Sequence, residues 1–444
     1  MAVTITIIGA GAYGWTTGLI RDIFYYPAFH DAEFVLMDIN EARLPYMVRA
    51  VEKIFKAAGC SGAKVRATAN RAEALEGADG VLITIQAGGV DIWRHDIEIP
   101  KTFGVDYAVG DTRGPAGIMR GLRSIPVMAG ICADVEKYCP KATVLNYTNP
   151  MPILCRAMQG SFPGLKFIGL CHNVQNTFEM LARWIGAPYN EISYTCAGIN
   201  HQSFFLDFLR NGEDAYPKIR EAIEDPEIYR EEIVRNEMFK ALDYYPTETS
   251  GHNSEYCAWF RKRQDLIEKY CLPAKDPYGS HAYVLKNYIA KTENWENLVE
   301  EWIARPGVDM KPSHEYAAGI FNAVYGDHAP FKFNGNIRNF GIIDNLPYGA
   351  CVEVPVLASL RGFEPIRIGS MPNQLAALVQ TNAICEEMAV EGSLTGDVRK
   401  VYQACIYDPL TSSVLGLQEI KTMLAQMLEK NKDYLPQFKN LNLG

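Results

Sequence analysis

Two residues that could bind a metal ion follow two predicted strands and lie thirty positions apart in the chain. Cys171 comes directly after the strand predicted over residues 166–170, and His201 follows an extended segment over residues 194–198. A thiolate and an imidazole suit a divalent transition metal, and two protein ligands leave positions for substrate and water. Two separated residues are no metal signature, so the residues alone favour a packed thiol and a hydrogen-bonded structural histidine.

Two further side chains could transfer protons. His172, beside Cys171, could act as a general acid or orient a substrate hydroxyl, and a histidine that is hydrogen-bonded to backbone is an equal alternative. Tyr256 could act as a base if a cation or a metal ion lowered the pKa of its hydroxyl from about 10. Both roles depend on what the fold places beside these residues.

Two polar loops add functional groups. Residues 247–256 hold His252 and Tyr256 among mostly polar neighbours, and a solvated surface loop is the alternative to a site. Residues 110–117 combine Asp111 with Arg113 before a helix. That loop could bind an anion or take part in catalysis, and the alternative is a helix cap with its salt bridge.

The first fourteen residues predict a dinucleotide site. Residues 4–8 have the apolar, β-branched character of a buried parallel strand, and residues 15–24 are predicted to form the helix that follows. Between them, Gly9, Gly11 and Gly14 fit G-x-G-x-x-G. One glycine permits the tight turn, one lets the backbone approach a pyrophosphate, and one brings the helix against the strand. The pyrophosphate would lie at the helix N-terminus, where free N–H groups favour anions.

Three predicted strand ends should face the same ligand. The second strand ends at Asp38, whose carboxylate would bind the ribose hydroxyls and repel a 2′-phosphate, which favours NAD over NADP. The strand over residues 80–85 leads into the loop at Gln86, and the strand over residues 143–147 is followed by Asn149. Ligands of such sheets bind outside the carboxyl ends of the strands, so both side chains should face the cofactor and its reaction partner.

The alternation of strands and helices predicts an α/β fold with a Rossmann-type, doubly wound parallel sheet. A chain of 444 residues exceeds what one hydrophobic core organises, which predicts two domains. We expect residues 1–195 to form the dinucleotide-binding domain. Residues 196–444 are mixed and aromatic and carry two long helical patterns, over residues 372–392 and 417–430. They would form an intimately packed α+β domain for substrate binding, metal binding and oligomerisation.

Composition excludes several classes of function. The net charge of −9 arises from 43 basic and 52 acidic residues without a basic run, so nothing indicates binding to nucleic acid. No apolar stretch is long enough to span a bilayer, and no charged-then-apolar leader opens the chain, so we expect no membrane partner. Eleven cysteines without a CxxC pair favour reduced thiols and a location in the cytoplasm.

Taken together, these motifs resemble one family, the NAD- and metal-dependent glycoside hydrolases of family 4. Within this family the chain is most similar to the bacterial α-galactosidases of the melibiase type. The likeness runs from the glycine motif almost to the C-terminus. The motifs that carry it are Gly110-Asp111-Thr112, Asn146-Tyr147-Thr148-Asn149-Pro150-Met151, Gly169-Leu170-Cys171-His172, Ala197-Gly198-Ile199-Asn200-His201, Glu255-Tyr256, Asn345-Leu346-Pro347 and Val352-Glu353-Val354-Pro355.

The resemblance implies roles for several of these residues. The Mn²⁺ ligands of the family carry over to Cys171 and His201, and a substrate-contacting position carries over to Asn149. His172 falls where the family has its acid or an acid-assisting residue. Tyr256 matches a tyrosine that is a candidate base for the proton at C2. The implied cofactors are NAD and Mn²⁺ or another divalent transition metal, the substrate is a small sugar, and the assembly is a homo-oligomer, a dimer or a tetramer.

The implied reaction is hydrolysis without net oxidation. NAD⁺ takes a hydride from C3 of the sugar, and the metal on the C2 and C3 oxygens acidifies the C2 proton. A base removes this proton, and the C1–O bond breaks by elimination while an acid assists the leaving group. Water then adds, and NADH returns its hydride. Such enzymes are exceptions to the two-carboxylate scheme of glycosidases.

One position departs from the family pattern and bears on the substrate. Asn173 stands where the α-galactosidase pattern has Ser and the α-galacturonidase pattern has Glu. We predict substrate contacts for Asn173 and His252, a catalytic role for Asp111, and an α-galactoside as the leading substrate. An α-galacturonide, an α-glucoside or another substituted sugar stays open. The absence of a Cys-Asn or Cys-Asp pair argues against 6-phospho-glycosides.

Two other functions compete with this interpretation. A simple NAD-dependent hydroxy-acid dehydrogenase would share the N-terminal domain, need no metal, and bind its carboxylate through Arg113 or Arg120. A catalytically silent dinucleotide sensor would have no use for intact Cys171, His201 and Tyr256. Metal dependence without accumulation of NADH would separate the glycosidase from the dehydrogenase.

Overall fold

The computed structural model describes residues 2–275 and 277–444, which contain one mixed sheet and many helices. The strands are β1 (Thr4–Ile8), β2 (Glu33–Met37), β3 (Lys64–Thr68), β4 (Gly80–Ile83), β5 (Thr143–Asn146), β6 (Lys166–Gly169), β7 (Ile192–Ile199), β8 (Gln202–Arg210), β9 (Glu213–Asp214), β10 (Phe331–Arg338), β11 (Cys351–Ser359) and β12 (Gly362–Pro365). The α-helices are α1 (Tyr13–Ile23), α2 (Leu44–Ala58), α3 (Arg71–Leu75), α4 (Gly89–Thr102), α5 (Gly114–Tyr138), α6 (Met151–Ser161), α7 (Asn173–Trp184), α8 (Tyr216–Ala222), α9 (Pro226–Glu231), α10 (Ile233–Leu242), α11 (Ser250–Glu255), α12 (Gln264–Leu266), α13 (Tyr283–Glu293), α14 (Trp295–Ala304), α15 (Ala317–Tyr325), α16 (Asn373–Thr395), α17 (Val398–Tyr407), α18 (Pro409–Val414) and α19 (Leu417–Asn431).

The first six strands form the parallel half of the sheet in the order β3-β2-β1-β4-β5-β6, which is the Rossmann order. Side chains of each strand alternate between two faces. Ile7 and Leu36 therefore pack in one apolar cluster, whereas Ile8 and Val35 pack in another. This arrangement confirms the predicted α/β fold class. The bounds of β1 are those that the sequence predicts.

The second half of the sheet is antiparallel and continues from the first without a break. β10 pairs with β6 through Asn336 and Gly169. Then β11, β7, β8 and β9 follow outward, and β12 lies beside β11. The predicted domain boundary at residue 195 falls inside β7, within a sheet that both halves of the chain share. The division of the chain at this residue stays a prediction.

Helix α5 begins earlier than the sequence predicts and packs against the loop before it. It starts at Gly114 rather than near residue 118, with Pro115 in its first turn, where a missing N–H costs no hydrogen bond. A Cβ at Gly117 would lie 2.1 Å from the carbonyl carbon of Thr112. The glycine therefore lets α5 approach this loop closely, and the loop carries Asp111.

Helix α14 lies across α2 beside the glycine-rich turn. Arg49 of α2 forms an ion pair with Glu300 at 2.5 Å. The indole Nε1 of Trp295 donates to the carbonyl oxygen of Gly11 at 2.8 Å, and the Arg43 guanidinium lies 4.7 Å from the centre of that indole. Residues far along the chain thus contribute a wall to the predicted dinucleotide site.

The helices and the cysteines each have a further property. Among the described residues, no helix combines the length and the apolar character needed to cross a membrane. All eleven cysteines are buried and carry free thiols. Burial raises the pKa of the Cys257 thiol to about 12, for example, so this thiol stays protonated at neutral pH and packs as a small apolar group.

Candidate active site

His201 forms the centre of a group of three potential metal ligands. It lies in the two-residue turn between β7 and β8, and its φ of 63° is unusual for a residue other than glycine. Its Nε2 lies 3.3 Å from Sγ of Cys171, which follows β6, and 3.6 Å from Oε2 of Glu248. The three donor atoms all lie within 4.8 Å of one another. The structure thus brings Cys171 and His201 together and adds a carboxylate that the sequence analysis missed.

The other edge of the His201 ring faces hydroxyl groups. Its Nδ1 lies 3.2 Å from Oγ1 of Thr112 and 3.4 Å from the hydroxyl of Tyr256. The Thr112 hydroxyl donates to Oδ1 of Asp111 at 2.7 Å, so its oxygen can accept the Nδ1–H of the imidazole. That tautomer leaves the lone pair of Nε2 for the side where Cys171 and Glu248 lie. Burial lowers the pKa of His201 to about 4, and a neutral imidazole is the form that binds a metal.

Asp111, Asn149 and His252 form a second group next to the first. The Asn149 amide, after β5, donates to Oδ2 of Asp111 at 2.9 Å. Nε2 of His252 lies 3.7 Å from Oδ1 of Asp111, and its Nδ1 lies 3.3 Å from Oε1 of Glu248. Three residues that the sequence assigns to catalysis or substrate binding therefore lie side by side.

Charge controls the protonation state of this second group. Burial alone would lower the pKa of His252, but the carboxylates of Glu248 and Asp111 raise it to about 9. Burial would likewise raise the pKa of Asp111, but its hydrogen bond with His252 and the charge of that imidazole hold it well below its usual range. At neutral pH a positive imidazole therefore lies between two negative carboxylates.

A buried carboxylate fixes the loop that presents Asp111. Glu255 is 1% exposed and accepts three backbone hydrogen bonds, from Ala108, Val109 and Gly110, at 2.9 to 3.0 Å. Such bonds to a charged acceptor are strong. The short helix α11, which ends at Glu255, thereby connects the loop before Asp111 to the segment that carries Glu248 and His252.

The proposed acid, His172, lies at a more open position than the groups above. Its side chain is 43% exposed, its Nδ1 is 3.3 Å from Oε1 of Glu315, and its ring centre is 5.7 Å from that of Trp15 in α1. Burial would lower the pKa of His172, but the Glu315 carboxylate raises it above the ordinary value. The protonated form that a general acid needs is therefore favoured.

The proposed base, Tyr256, is fully buried. Its ring lies 4.5 Å from the guanidinium carbon of Arg113, and Nε of Arg113 pairs with Glu386 at 3.0 Å. Burial raises the pKa of the Tyr256 hydroxyl well above 10, although the charge of Arg113 opposes the rise. A role as base would need a further cation beside this hydroxyl. Arg113 itself is held within the protein by Glu386.

The side chain of Asn173 is buried and bonds protein groups. Asn173 is 2% exposed. Its amide donates to Oε2 of Glu353 at 3.1 Å and to Oγ1 of Thr247 at 3.2 Å. Its Oδ1 accepts the backbone N–H of Val174 at 2.9 Å. All of these side-chain partners are protein groups, whereas the backbone N–H of Asn173 bonds the Cys171 sulfur, so Asn173 lies next to the site through its backbone. Its predicted substrate contact stays a prediction.

The glycine-rich turn fits a dinucleotide for a specific reason. Gly9 has a φ of 88°, and a Cβ there would lie 2.4 Å from the Thr84 carbonyl oxygen. The Gly11 N–H donates to Oδ2 of Asp38 at 2.7 Å, so the acid at the end of β2 touches the turn as a ribose-binding residue should. Gly14 differs from the expectation, because a Cβ there would meet no atom within 4 Å and packing of α1 on β1 does not require glycine.

The side-chain amide of Gln86 has a buried donor that is available to a ligand. Its Nε2 is buried and, among the described residues, has no hydrogen-bond partner. A buried donor without a partner is costly, so its position after β4 suits a ligand that supplies an acceptor. Together with the turn at Gly9, this donor fits a bound dinucleotide.

Three residues of the site, Glu248, Thr112 and Glu255, were not predicted from the sequence as site residues. Glu248 lies in the polar segment that the sequence singled out, but its type alone gave no reason to place it beside a cysteine and a histidine. Thr112 and Glu255 occur in motifs of the family resemblance, yet their hydrogen bonds depend on the fold.

Comparison with known proteins identifies the family. The Family 4 glycosyl hydrolase profile matches residues 4–187, and the Family 4 glycosyl hydrolase C-terminal domain profile matches residues 196–411. An α-galactosidase of Bacillus subtilis is 36% identical over 98% of this chain and 99% of its own length. An α-galactosidase of Rhizobium meliloti is 33% identical over 98% of this chain and 89% of its own length.

More distant proteins match the chain in sequence or in fold. Proteins named α-glucosidase, of Erwinia rhapontici, and α-galacturonidase, of Thermoanaerobacterium saccharolyticum, match at 27% and 26% identity. A 6-phospho-α-glucosidase from gut microorganisms, solved in complex with NAD and Mn²⁺, has a TM-score of 0.80 at 20% identity, over 99% of this chain and 100% of that one. Because both halves match the family profiles and its relatives align over nearly the whole length, the chain belongs to glycosyl hydrolase family 4.

Proposed function

We propose that this protein is an NAD- and divalent-metal-dependent α-glycosidase of the cytoplasm that acts on an α-galactoside. The observation that carries the proposal is the group of Cys171, His201 and Glu248 next to Asp111. This group lies at the carboxyl ends of the parallel strands, where the dinucleotide turn also lies. The α-galactosidases of Bacillus subtilis and Rhizobium meliloti support this choice of substrate. When bound, NAD would supply a reversible hydride acceptor and the metal a Lewis acid.

Different side chains would bind the metal, bind the sugar and transfer a proton. The sulfur of Cys171 and Nε2 of His201 would hold the metal, since one is a soft donor and the other a neutral imidazole. Asn149 and the charged His252 flank Asp111, so this group offers both donors and an acceptor to neighbouring sugar hydroxyls. Protonated His172, at the open side, would give its proton to the leaving oxygen.

The first experiment is a substrate panel with the purified protein. We expect release of p-nitrophenol from the α-galactoside in the presence of NAD⁺, Mn²⁺ and a reductant. EDTA or removal of NAD⁺ should abolish the release, because the metal ion and NAD⁺ each supply chemistry that the side chains lack. The panel should contain α- and β-anomers of hexosides and hexuronides.

The other outcomes are equally informative. Release from a uronide alone would keep the reaction type and correct the substrate. Silence across the panel, with NADH accumulating on a hydroxy acid, would contradict the glycosidase and support a dehydrogenase. Loss of activity in Cys171→Ser, with NAD binding retained, would support a metal-dependent enzyme over a silent sensor.

One observation favours an α-galacturonide as a second candidate. Arg120 is 8% exposed and stacks on Trp93 at 4.6 Å, and its guanidinium has no ion pair or hydrogen bond among the described residues. It lies close enough to Asp111 for its charge to act on that carboxyl. A substrate carboxylate would supply the missing partner. If the uronide is the substrate, Arg120→Met should raise KM for it at least tenfold, and an unchanged KM would exclude this contact.

We also propose that the protein is a homo-oligomer, a dimer or a tetramer. The side chains of Phe340 and Tyr348 are 56% and 78% exposed, and their ring centres lie 5.3 Å apart. Exposed aromatic groups in contact favour burial against a partner. Light scattering after size exclusion should give two or four times the mass of 49.6 kDa, and a monomer at micromolar concentration would contradict the proposal.

A further inference from the structure

The backbone of Glu248 has an unusual, left-handed conformation. The backbone at Glu248 has a φ of 68°, in the left-handed region, one residue before Thr249 caps helix α11. This conformation is costly for a residue with a side chain and persists where the surrounding structure holds it. Thr249 holds it from one side, because its Oγ1 caps the helix at the N–H of His252.

The geometry of the three donor atoms fits a single ion. Oε2 of Glu248 and Sγ of Cys171 both approach the same atom, Nε2 of His201, at 3.6 and 3.3 Å. Ligand atoms about 2.0–2.3 Å from one ion lie about 3–4 Å from one another. The two distances to His201 are therefore those of ligands on a common ion, and Cys171 and Glu248 lie within 4.8 Å of each other, whereas an ordinary ion pair would involve two atoms.

The donor chemistry points the same way. A thiolate and an imidazole alone form a soft pair, and a carboxylate oxygen is the ligand type that suits Mn²⁺. Cys171 as thiolate and Glu248 as carboxylate would balance the two charges of a divalent ion. A six-coordinate ion with three protein ligands still has open positions for substrate oxygens and water, as in other sites with three ligands on one side.

The second oxygen of the carboxylate is also accounted for. Oε1 of Glu248 lies 3.3 Å from Nδ1 of His252, whose Nε2 is beside Asp111. Partners of this kind orient a ligating carboxylate and raise metal affinity. Glu248 therefore has one oxygen for the ion and one for the histidine that connects it to the substrate-facing group.

We propose that Glu248 is a third protein ligand of the divalent metal, together with Cys171 and His201. The inference rests on the proposed function for the presence of a metal, and it adds a ligand that the family resemblance does not supply. It assigns Glu248 to the ion rather than to the sugar.

The test measures metal binding directly. The free Mn²⁺ signal in electron paramagnetic resonance gives the Kd of the NAD-loaded wild type, of Glu248→Gln and of Glu232→Gln. Glu232 is a matched control, since its carboxylate accepts the Ser250 N–H at 2.7 Å and touches none of the three donor atoms. We expect Glu248→Gln to weaken Mn²⁺ binding at least about tenfold and Glu232→Gln to leave it unchanged.

A second variant and a second metal distinguish the loss of a metal ligand from misfolding of the variant. Glu248→Asp keeps a carboxylate on a shorter stem and should recover part of the affinity. In the Co²⁺ form, Glu248→Gln should keep the thiolate-to-metal absorption of Cys171 and change the ligand-field bands. A wild-type Kd for Mn²⁺ in Glu248→Gln would overturn the inference even if activity were lost, because the carboxylate would then act on the sugar. A wild type that binds no Mn²⁺ would instead contradict the proposed function.

Discussion

His252 carries its charge between two carboxylates, and this single residue ties the stability of the protein to pH. Its pKa is about 9 in the folded protein against an ordinary 6.5. A group whose folded pKa is raised stabilises the fold fully below pH 6.5, and this stabilisation is lost as the pH rises through 9. The change is on the order of 3 kcal/mol at 1.36 kcal/mol per unit. Urea unfolding of the metal-free protein between pH 6 and 9.5 should show this fall.

The variant His252→Gln isolates this effect. It removes the titrating group, so the free energy of unfolding should be lower at pH 6 and depend less on pH up to 9.5. An equally steep fall in the variant would show that other groups carry the pH dependence.

The glycines of the turn should differ in how they tolerate a methyl group. Gly9→Ala forces a side chain into a φ of 88° and against the Thr84 carbonyl, so it should lower the melting temperature and abolish NAD binding. Gly14→Ala meets no atom within 4 Å and should fold with an unchanged or slightly higher melting temperature. Differential scanning calorimetry of the two ligand-free variants checks the pair. Equal melting temperatures would contradict the close packing of Gly9 against the Thr84 carbonyl.

The sequence could indicate some site residues but not others. Cys171 and Asn149 could be placed because each follows a strand with a recognisable apolar run, and ligands gather at such ends. Glu248 could not be placed, since its position depends on one left-handed residue in a segment without periodicity. The buried orientation of Asn173 was equally hidden, because Glu353, its partner, lies 180 positions away.

Glu255 makes helix α11 responsible for the shape of the loop before Asp111. In Glu255→Gln an amide NH₂ replaces one carboxylate oxygen, so at least one of the three backbone N–H groups loses its acceptor. Hydrogen bonds to charged groups contribute about 1.5–3 kcal/mol each, so we expect a loss of about 2 kcal/mol in the free energy of unfolding. Glycosidase kcat should fall about tenfold or more, because the backbone that presents Asp111 would lose one of its three bonds to Glu255.

A surface carboxylate provides the control for this variant. Glu268→Gln changes the same chemical group at an exposed position, beside Gln264, and should change neither stability nor kcat. If Glu255→Gln behaved like Glu268→Gln, the loop would be held by α5 alone.

The parallel strands could be predicted from the sequence, whereas the antiparallel strand Phe331–Arg338 could not. It carries asparagines where a buried strand usually has apolar residues. Asn334 donates to the Cys196 carbonyl at 2.9 Å and Asn336 to the Gly169 carbonyl at 3.3 Å. Both amide NH₂ groups thus donate to residues more than a hundred positions away, so no local pattern predicts these bonds.

The uninterrupted sheet joins the two halves of the chain. A fragment of residues 1–195 would leave the edge of β6 unpaired, because β10 lies there in the intact protein. It would also uncover β4, since the Phe321 ring packs against Gly80. We expect the fragment to aggregate or stay unfolded, as exposed edges and apolar faces do. Circular dichroism and solubility, compared with the full chain, measure this.

The outcome bears on the domain boundary predicted at residue 195. A soluble fragment that melts cooperatively and binds NAD would show that the first half is an independent domain. Aggregation of the fragment, with a single transition for the full chain, would show that the halves fold together.

The indole of Trp295, hydrogen-bonded to Gly11 and stacked against Arg43, has an optical consequence. Of the six tryptophans, Trp295 touches the dinucleotide turn and Trp15 lies beside His172. Their emission should therefore respond to occupancy of the cleft, and energy transfer from indole to a reduced nicotinamide would distinguish NADH from NAD⁺. A rapid-mixing fluorimeter could then follow each turnover of a reaction that leaves the total cofactor unchanged, without a dye or a coupled enzyme.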